Sequence, residues 1–205
     1  MICVIDYDLG NVISIKNAIN KVGHECIISD KPSEIIRAKA LILPGVGSFE
    51  KGMKNLKERN LINIISNEVI IKKKFVLGIC LGFQIMCKNS DEFGLHEGLG
   101  WINANVEKIN NQDVRIPHVG WNKTELLEAD TIFHNIKNNE LFYYNHSYCV
   151  KKNNDKNFKT IAKCFYGEDF IAIGKKDNIY GIQPHPEKSQ KQGLNFLENF
   201  LKKIC

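Results

Sequence analysis

The first eighty residues alternate between short apolar runs and amphipathic segments. The runs at 1–7, 25–28, 40–43 and 75–79 are rich in Val, Ile and Leu, which is typical of buried β-strands. Between them, apolar residues recur at helical spacing, first at Val12, Ile15, Ala18, Ile19 and Val22, and then at Phe49, Met53, Leu56, Leu61, Ile64 and Ile65. Apolar strands alternating with helices predict an α/β fold with a mostly parallel central sheet and helices on both faces.

The pattern changes after residue 100. Five β-like runs are separated by Asn, Lys and Asp turns, which predicts a smaller antiparallel portion in the second half, at 102–109, 122–126, 141–150, 158–165 and 170–182. The chain closes with an amphipathic helix that carries Leu194, Leu197, Leu201 and Ile204 on one stripe. Because neither a repeat nor a linker interrupts the pattern, we expect one domain over residues 1–205.

Composition narrows the functional classes. The 205 residues are 43% hydrophobic and 25% charged, which excludes a disordered chain. No apolar run reaches the roughly 18 residues of a membrane span, and the opening has no basic region of a secretory signal. Seven scattered Cys without a CxxC pair favour reduced thiols in the cytoplasm, with no metal site or cofactor expected. The net charge of +5 comes from dispersed Lys, which argues against nucleic-acid binding.

Residues 78–84 read Gly-Ile-Cys-Leu-Gly-Phe-Gln and follow a predicted strand. A reactive side chain on a tight strand-to-helix turn between glycines is typical of a nucleophile elbow. The glycines are needed where the turn packs against backbone and leaves no room for a Cβ. A helix that starts there places N–H groups beside the sulfur, which favours the attacking thiolate. We therefore expect Cys80 to be a nucleophile, and Cys87 to be a small buried hydrophobe.

A candidate base and its orienting carboxylate lie near the C-terminus. His185 and Glu187 are two residues apart, so their side chains point the same way if the segment is extended. Pro184 and Pro186 discourage helix and support that extended geometry. Glu187 can hold one ring nitrogen of His185 while the other faces the thiol, which predicts a Cys-His-Glu triad.

An oxyanion hole needs two backbone donors near the nucleophile. The amide of Leu81 follows Cys80 directly and is one candidate. The second is expected from the loop Pro44-Gly45-Val46-Gly47, because loops beyond the carboxyl ends of parallel strands meet at one edge of the sheet. Its two glycines also permit the unusual backbone angles that such a donor requires.

Five segments, in this order, resemble the class I, triad-type glutamine amidotransferases: PGVGSF (44–49), GICLGFQ (78–84), PHVGWN (117–122), HSY (146–148) and HPEKS (185–189). The PHVGWN and PGVGSF segments, with the opening IDYDLGN, are most similar to the HisH family, the glutaminase subunits of imidazole glycerol phosphate synthase. The similarity runs from residue 1 to about residue 203 and implies a flavodoxin-like fold.

The resemblance implies a glutaminase reaction. Cys80 would attack the side-chain amide of glutamine to give a thioester and ammonia, while His185 transfers the proton and Glu187 orients it. The amides of Val46 and Leu81 would hold the oxyanion. Residues that match the glutamine-binding positions of the family are Gly47, Gln84, Glu92, His146, Ser147 and Tyr148.

The resemblance also implies a partner, a HisF-like (β/α)8 synthase that uses the ammonia to form imidazole glycerol phosphate and AICAR in histidine biosynthesis. Coupling the two sites is necessary because free ammonia becomes ammonium in water and is no longer a nucleophile. Glutaminase activity should be low until the partner is bound, because the Val46 amide must turn into place. Residues that match the family's partner contact are Pro117, His118, Gly120, Trp121, Asn122 and Lys188.

Departures from the family pattern leave alternatives open. They are Asp8, Phe83, Val119, Asn145 and Pro184, and none removes a catalytic group. A HisH paralogue could instead supply ammonia for amidine formation on a bacterial surface-sugar precursor, through a third enzyme. A cysteine hydrolase without ammonia transfer would not need the HSY and PHVGWN segments, and a non-catalytic scaffold would not need an intact triad.

Overall fold

The computed structural model describes residues 1–204, which form two β-sheets and the helices that cover them. The strands are β1 (Ile2–Ile5), β2 (Cys26–Ser29), β3 (Ala40–Leu43), β4 (Phe75–Ile79), β5 (Cys87–Ser90), β6 (His96–Glu97), β7 (Ile102–Lys108), β8 (His118–Leu126), β9 (Glu140–His146), β10 (Tyr148–Asn153), β11 (Lys159–Phe165), β12 (Asp169–Lys176) and β13 (Ile179–Ile182). The α-helices are α1 (Val12–Lys21), α2 (Pro32–Arg37), α3 (Phe49–Glu58), α4 (Leu61–Ser66), α5 (Leu81–Ile85) and α6 (Gln190–Lys202). A π-helical turn (Asn67–Ile71) continues α4, and 3-10 turns lie at Thr131–Phe133 and Pro186–Lys188.

The larger sheet has nine strands in the order β2-β1-β3-β4-β13-β12-β11-β8-β9. The first five strands in this order, β2, β1, β3, β4 and β13, run parallel to one another. The remaining neighbours, from β13–β12 to β8–β9, pair antiparallel. The smaller sheet has the order β10-β7-β5-β6. The predicted α/β fold is therefore confirmed, with most antiparallel strands of the second half extending the parallel sheet itself.

Helices cover both faces of the large sheet, as the apolar strands require. On one face, α1 and α6 bury Ile19, Leu197 and Phe200 against the strands. On the other face, α3 and α4 bury Leu56 and Leu61. Within residues 1–204, no helix combines the length and the apolar character that crossing a membrane would require.

Several elements differ from the sequence prediction. The second predicted helix is divided into α3 and α4 because Asn60 adopts a left-handed conformation, with φ 56°. The run at 141–150 forms two strands separated by Ser147. The run at 170–182 is a hairpin whose second strand, β13, returns to pair with β4. The short elements α2, β5 and β6 were not predicted, since they are largely polar; α2 buries only Ile35.

The register of three parallel strands brings their carboxyl ends to one edge of the sheet. Ile182 of β13 pairs with Ile79 of β4, so the residues that follow the two strands emerge side by side. Leu43 of β3 pairs with Gly78 of β4, so the loop after β3 emerges there as well. This edge is where open parallel sheets place their functional residues.

Candidate active site

Cys80 connects β4 to α5 in a strained conformation, with φ 53° and ψ −111°. Its amide donates to the Ile182 carbonyl at 2.8 Å, which fixes the turn to β13. A Cβ at Gly82 would lie 1.8 Å from the Leu43 carbonyl oxygen, and one at Gly78 would lie 2.8 Å from the Gly82 oxygen. The turn therefore has the geometry of the expected nucleophile elbow, with glycines where backbone packs on backbone.

The loop after β3 packs directly on this elbow. A Cβ at Gly45 would lie 2.7 Å from the Leu81 Cβ, so only glycine permits the approach. Gly47 adopts φ 114°, a conformation that favours glycine. Val46, Gly47, Cys80 and Leu81 line the same cavity. The two backbone segments expected to hold an oxyanion are thus neighbours of the sulfur.

His185 and Glu187 form a buried pair beside the elbow. His185 Nδ1 lies 2.9 Å from Glu187 Oε1, and the two side chains are 2% and 1% exposed. Because the carboxylate accepts, Nδ1 carries a hydrogen. Nε2 is buried and makes no hydrogen bond of regular geometry with the described residues, which leaves it for the thiol.

The backbone between these two residues differs from the expected extended segment. His185 itself is extended, with φ −94° and ψ 99°, but a 3-10 turn begins at Pro186. Proline has the fixed φ of a helical first position, so it starts this turn instead of prolonging the strand. The turn folds Glu187 back onto the imidazole ring.

Electrostatics favours a charged ring at this site. Burial by itself would lower the pKa of His185, because it penalises the charged form. The negative charges of a Cys80 thiolate and of the Glu187 carboxylate outweigh burial and raise the pKa of His185 to about 10. The ring is therefore positively charged at neutral pH, directly beside the Cys80 sulfur.

A cavity of about 280 Å³ opens beside the Cys80 sulfur. Its lining includes all six residues expected to bind glutamine, namely Gly47, Gln84, Glu92, His146, Ser147 and Tyr148. Pro117 and Asn145 complete the wall. Within residues 1–204, no three His, Cys, Asp or Glu side chains are grouped so that they could hold a metal ion.

Two of these lining side chains are also bound within the protein. The Glu92 Oε2 accepts from the Phe49 amide at 2.6 Å and so caps α3. Burial raises the pKa of Glu92, and the Phe49 amide opposes that shift. The Gln84 side-chain nitrogen donates to the Tyr148 carbonyl at 2.7 Å and to Gln183 Oε1 at 3.1 Å. Gln84 therefore presents to the cavity a side chain whose amide hydrogens are already used.

Two hydrogen-bonded histidines, His118 and His146, lie beside the cavity. His146 Nδ1 lies 2.9 Å from the Tyr148 carbonyl and must donate to it, so its Nε2 accepts from His118 Nδ1 at 3.1 Å. His118 Nε2 then accepts from Asn122 at 3.3 Å. Burial lowers the pKa of His118 to about 4 and, with the neighbouring His118, that of His146 to about 3. Both rings are neutral at pH 7.

The segment that matches the family's partner contact begins β8. Pro117 is exposed at the rim of the cavity, and Gly120 adopts φ 135°. His118 is only 3% exposed and points into the protein, so its side chain does not reach the surface. Asn122 is half-buried and donates to the Phe165 carbonyl at 3.0 Å as well as to His118.

The outward side of the β8–β9 strand pair carries three exposed apolar side chains beside polar ones such as Lys123 and Asn145. Val119, Trp121 and Leu141 are 56%, 43% and 45% exposed. Trp121 packs edge to face on Tyr143, and the Lys188 Nζ lies 5.5 Å from the Tyr143 ring centre. Exposed apolar residues grouped on one strand pair indicate an interaction surface.

Sequence reasoning missed three residues that contact the triad. Gln183 Nε2 lies 3.5 Å from the Cys80 Sγ, and the Asn145 carbonyl lies 3.8 Å from it. The Ser189 hydroxyl donates to the His185 carbonyl at 2.6 Å. Gln183 and Ser189 lie close to the HPEK run in sequence, and that position was their only signal. Gln183 and Cys80 are 103 positions apart, so no local pattern indicates their contact.

A strained cysteine at an elbow, a buried His–Glu pair and an adjacent polar cavity define a cysteine-dependent hydrolase or transferase site. A family model described as glutamine amidotransferase class-I matches residues 3–204. Among solved structures, that of a glutamine amidotransferase superposes with a TM-score of 0.78 at 17% identity, covering 98% of each chain. The PurLQS structure from Thermotoga maritima gives 0.76 at 20% identity, covering 100% of this chain and 98% of that one. At such identities these likenesses show the fold.

Curated sequences are much more similar. The imidazole glycerol phosphate synthase subunit HisH 2 of Methanococcus maripaludis is 45% identical over 203 residues, which cover 98% of this chain and 99% of that protein. Subunit HisH 1 of Campylobacter jejuni is 44% identical, with 98% of each chain covered. Subunit HisH 2 of Pseudomonas aeruginosa is 39% identical over the whole of both. The chain therefore belongs to the HisH family of class I glutamine amidotransferases.

Proposed function

We propose that this chain is the glutaminase subunit of an imidazole glycerol phosphate synthase. It hydrolyses glutamine to glutamate and ammonia, and a HisF-like (β/α)8 synthase receives the ammonia in histidine biosynthesis. The observation that carries the proposal is the strained Cys80 beside the buried His185–Glu187 pair, in a chain of the HisH family.

The reaction follows from the charge state of the pair. The Cys80 thiolate attacks the side-chain carbonyl carbon of glutamine, and the amides of Val46 and Leu81 stabilise the oxyanion. The imidazolium of His185 gives its Nε2 proton to the departing nitrogen, so that ammonia leaves and a thioester remains. Neutral His185 then takes a proton from water, which attacks the thioester and releases glutamate. Glu187 keeps the ring in the required orientation throughout.

The cavity suits a zwitterionic amino acid. Glu92 offers a carboxylate for the substrate's α-ammonium group, and its raised pKa leaves it more basic than an exposed carboxylate. Gly47, Ser147 and Tyr148 line the wall and offer backbone and hydroxyl groups to the substrate carboxylate and amide. Gln84 and His146 contribute by holding this wall, since both bind the Tyr148 carbonyl.

The proposed partner surface is the outward side of the β8–β9 hairpin. Val119, Trp121 and Leu141 supply apolar area, and Lys188 supplies a charge at its edge. Pro117, which directly precedes β8, is exposed and lines the cavity wall. A partner docked here would lie at the mouth of the cavity, where ammonia is released.

The test is reconstitution with the HisF-like subunit of the same organism. Cys80→Ala should abolish synthesis of imidazole glycerol phosphate from glutamine but spare synthesis from ammonium salts. Cys87→Ala, a buried cysteine seven positions along the chain, should retain both activities. Glutamate release by Cys80→Ala at the wild-type rate contradicts the nucleophile, whereas loss of both activities means that the substitution disrupts docking or folding. Glutaminase activity without imidazole glycerol phosphate contradicts the proposed acceptor and favours a surface-sugar substrate.

A further inference from the structure

Gln183 is a buried amide that the reaction described above does not use. It follows β13 directly, and its side chain is fully buried, with 0% exposure. Its Nε2 lies 3.5 Å from the Cys80 Sγ, a normal distance for a hydrogen bond to sulfur. The approach is set by the backbone, because the Cys80 amide donates to the carbonyl of Ile182, the residue before Gln183.

The orientation of this amide is determined by its neighbours. The Tyr148 carbonyl can only accept, so the Gln84 side chain must turn its NH₂ group toward it. The same NH₂ group lies 3.1 Å from Gln183, which must therefore present its oxygen to Gln84. A flipped Gln183 would set two NH₂ groups against each other. Only the observed orientation satisfies every group, and it directs an N–H at the sulfur.

The Tyr148 carbonyl that anchors this arrangement is itself fixed. His146 Nδ1 donates to it from a second side at 2.9 Å, and His118 holds the other nitrogen of that ring. Both rings are buried, at 6% and 3% exposure. Gln183 is therefore oriented by a chain of hydrogen bonds within the core, and this chain does not involve His185 or Glu187.

Several other groups face the sulfur, and they do not replace this donor. The titratable ones are His185 and Tyr7, and the Tyr7 hydroxyl donates to the Pro44 carbonyl. The Asn145 carbonyl accepts from the thiol at 3.8 Å and so favours the neutral sulfur. Helix α5 has only five residues, too short for a large dipole at its N-terminus. Gln183 is thus the neutral side-chain donor that specifically favours the thiolate.

We propose that Gln183 is a further catalytic residue, whose side-chain amide donates a hydrogen bond to the Cys80 sulfur and stabilises the thiolate, with Gln84 holding it in orientation. This inference rests on the proposed function, because it concerns the same nucleophile. Its effect is separable from that of His185, since it changes which form of the sulfur is favoured without removing the base.

The test measures the pH dependence of Cys80 alkylation by iodoacetamide, read from the Cys80 peptide by mass spectrometry. Gln183→Met keeps the length of the side chain and removes the donor, so the midpoint of the alkylation profile should rise by about one pH unit. Gln183→Glu keeps the oxygen that faces Gln84 but sets a carboxylate against the thiolate, so its midpoint should rise further. If Gln183→Met does not fold, Gln183→Leu, which also lacks the donor and adds no charge, carries the test.

The matched control is Gln192→Met. Gln192 also donates a side-chain hydrogen bond, to Glu140 at 2.8 Å, but it lies on α6 away from the sulfur. The midpoint of Cys80 alkylation in Gln192→Met should therefore equal that of the wild type. Thermal melting of each variant separates lost stability from changed reactivity. Unchanged midpoints in folded Gln183 variants overturn the role of Gln183. The proposed function is tested separately, by the glutaminase activity of the wild-type protein in the complex. Absence of that activity in the wild type overturns the function itself.

Discussion

The buried His118–His146 pair should make the folded protein sensitive to acid. Burial lowers the pKa of His118 to about 4 and that of His146 to about 3, from an ordinary value of 6.5. As the pH falls through 6.5, the unfolded chain binds protons that the folded protein does not, so the folded state loses stability until the buried rings themselves protonate. Between pH 7 and pH 5 the loss amounts to about 2 kcal/mol for each ring.

The variant His118→Phe isolates one ring of this pair. A phenyl ring can occupy the stack between Tyr144 and Tyr166, whose ring centres lie 4.8 and 3.9 Å from that of His118, but it cannot bind a proton. The free energy of unfolding from urea titrations should fall between pH 7 and pH 5 by about 2 kcal/mol less in the variant than in the wild type. The variant also starts from a lower stability, because His146 loses a hydrogen bond.

A matched control uses His134→Gln, since His134 is exposed and lies outside the pair. This variant should lose as much stability as the wild type over the same interval. Equal losses in the wild type and in His118→Phe would mean that the buried ring of His118 does not exclude protons.

Other variants test the elbow and the triad. Gly82→Ala should lower the stability by about 3 kcal/mol in urea titrations, because its Cβ would lie 1.8 Å from a carbonyl oxygen. Gly52→Ala, inside α3 and with contacts no nearer than 3.5 Å, should instead raise the stability by up to about 1 kcal/mol, because alanine favours the helix; equal losses would contradict the close packing. Glu187→Gln should reduce kcat of the glutaminase in the complex by at least about a hundredfold, because the neutral amide cannot stabilise the charged His185 ring as the carboxylate does. An unchanged kcat would mean that Glu187 does not orient His185. In Cys80→Ala, the pKa of His185 followed by NMR should fall, because the thiolate charge that raises it is gone; an unchanged pKa would contradict the ion pair.

The fold was predictable where strands are buried on both faces. The runs 40–43 and 75–79 coincide with β3 and β4, because every position of a central parallel strand is apolar. The break between α3 and α4 at Asn60 was not predictable, because a single left-handed residue leaves the helical spacing of the apolar residues on either side intact. The short strand β6 was not predicted either, because two polar residues carry no alternation to recognise.

In the candidate site, too, only the residues with a local sequence signal were predictable. Cys80 and the His185–Glu187 pair can be recognised from local sequence. Glycines surround Cys80 at the end of a predicted strand, and a single residue separates His185 from Glu187. The hydrogen bond from Gln84 to Gln183 joins residues 99 positions apart, and that from His118 to His146 joins residues 28 apart. Such contacts arise only when the strands assemble, so no local pattern could indicate them.

Selective activation of Cys80 is measured by reaction with 6-diazo-5-oxo-norleucine, a glutamine analogue that alkylates an activated thiol, followed by mass spectrometry of all seven cysteine peptides. If the elbow and the ion pair with His185 activate one sulfur, the adduct forms on Cys80 alone, and added glutamine slows it. Labelling of Cys87 or Cys149 at the same rate as Cys80 would show that the elbow and His185 do not activate Cys80 selectively.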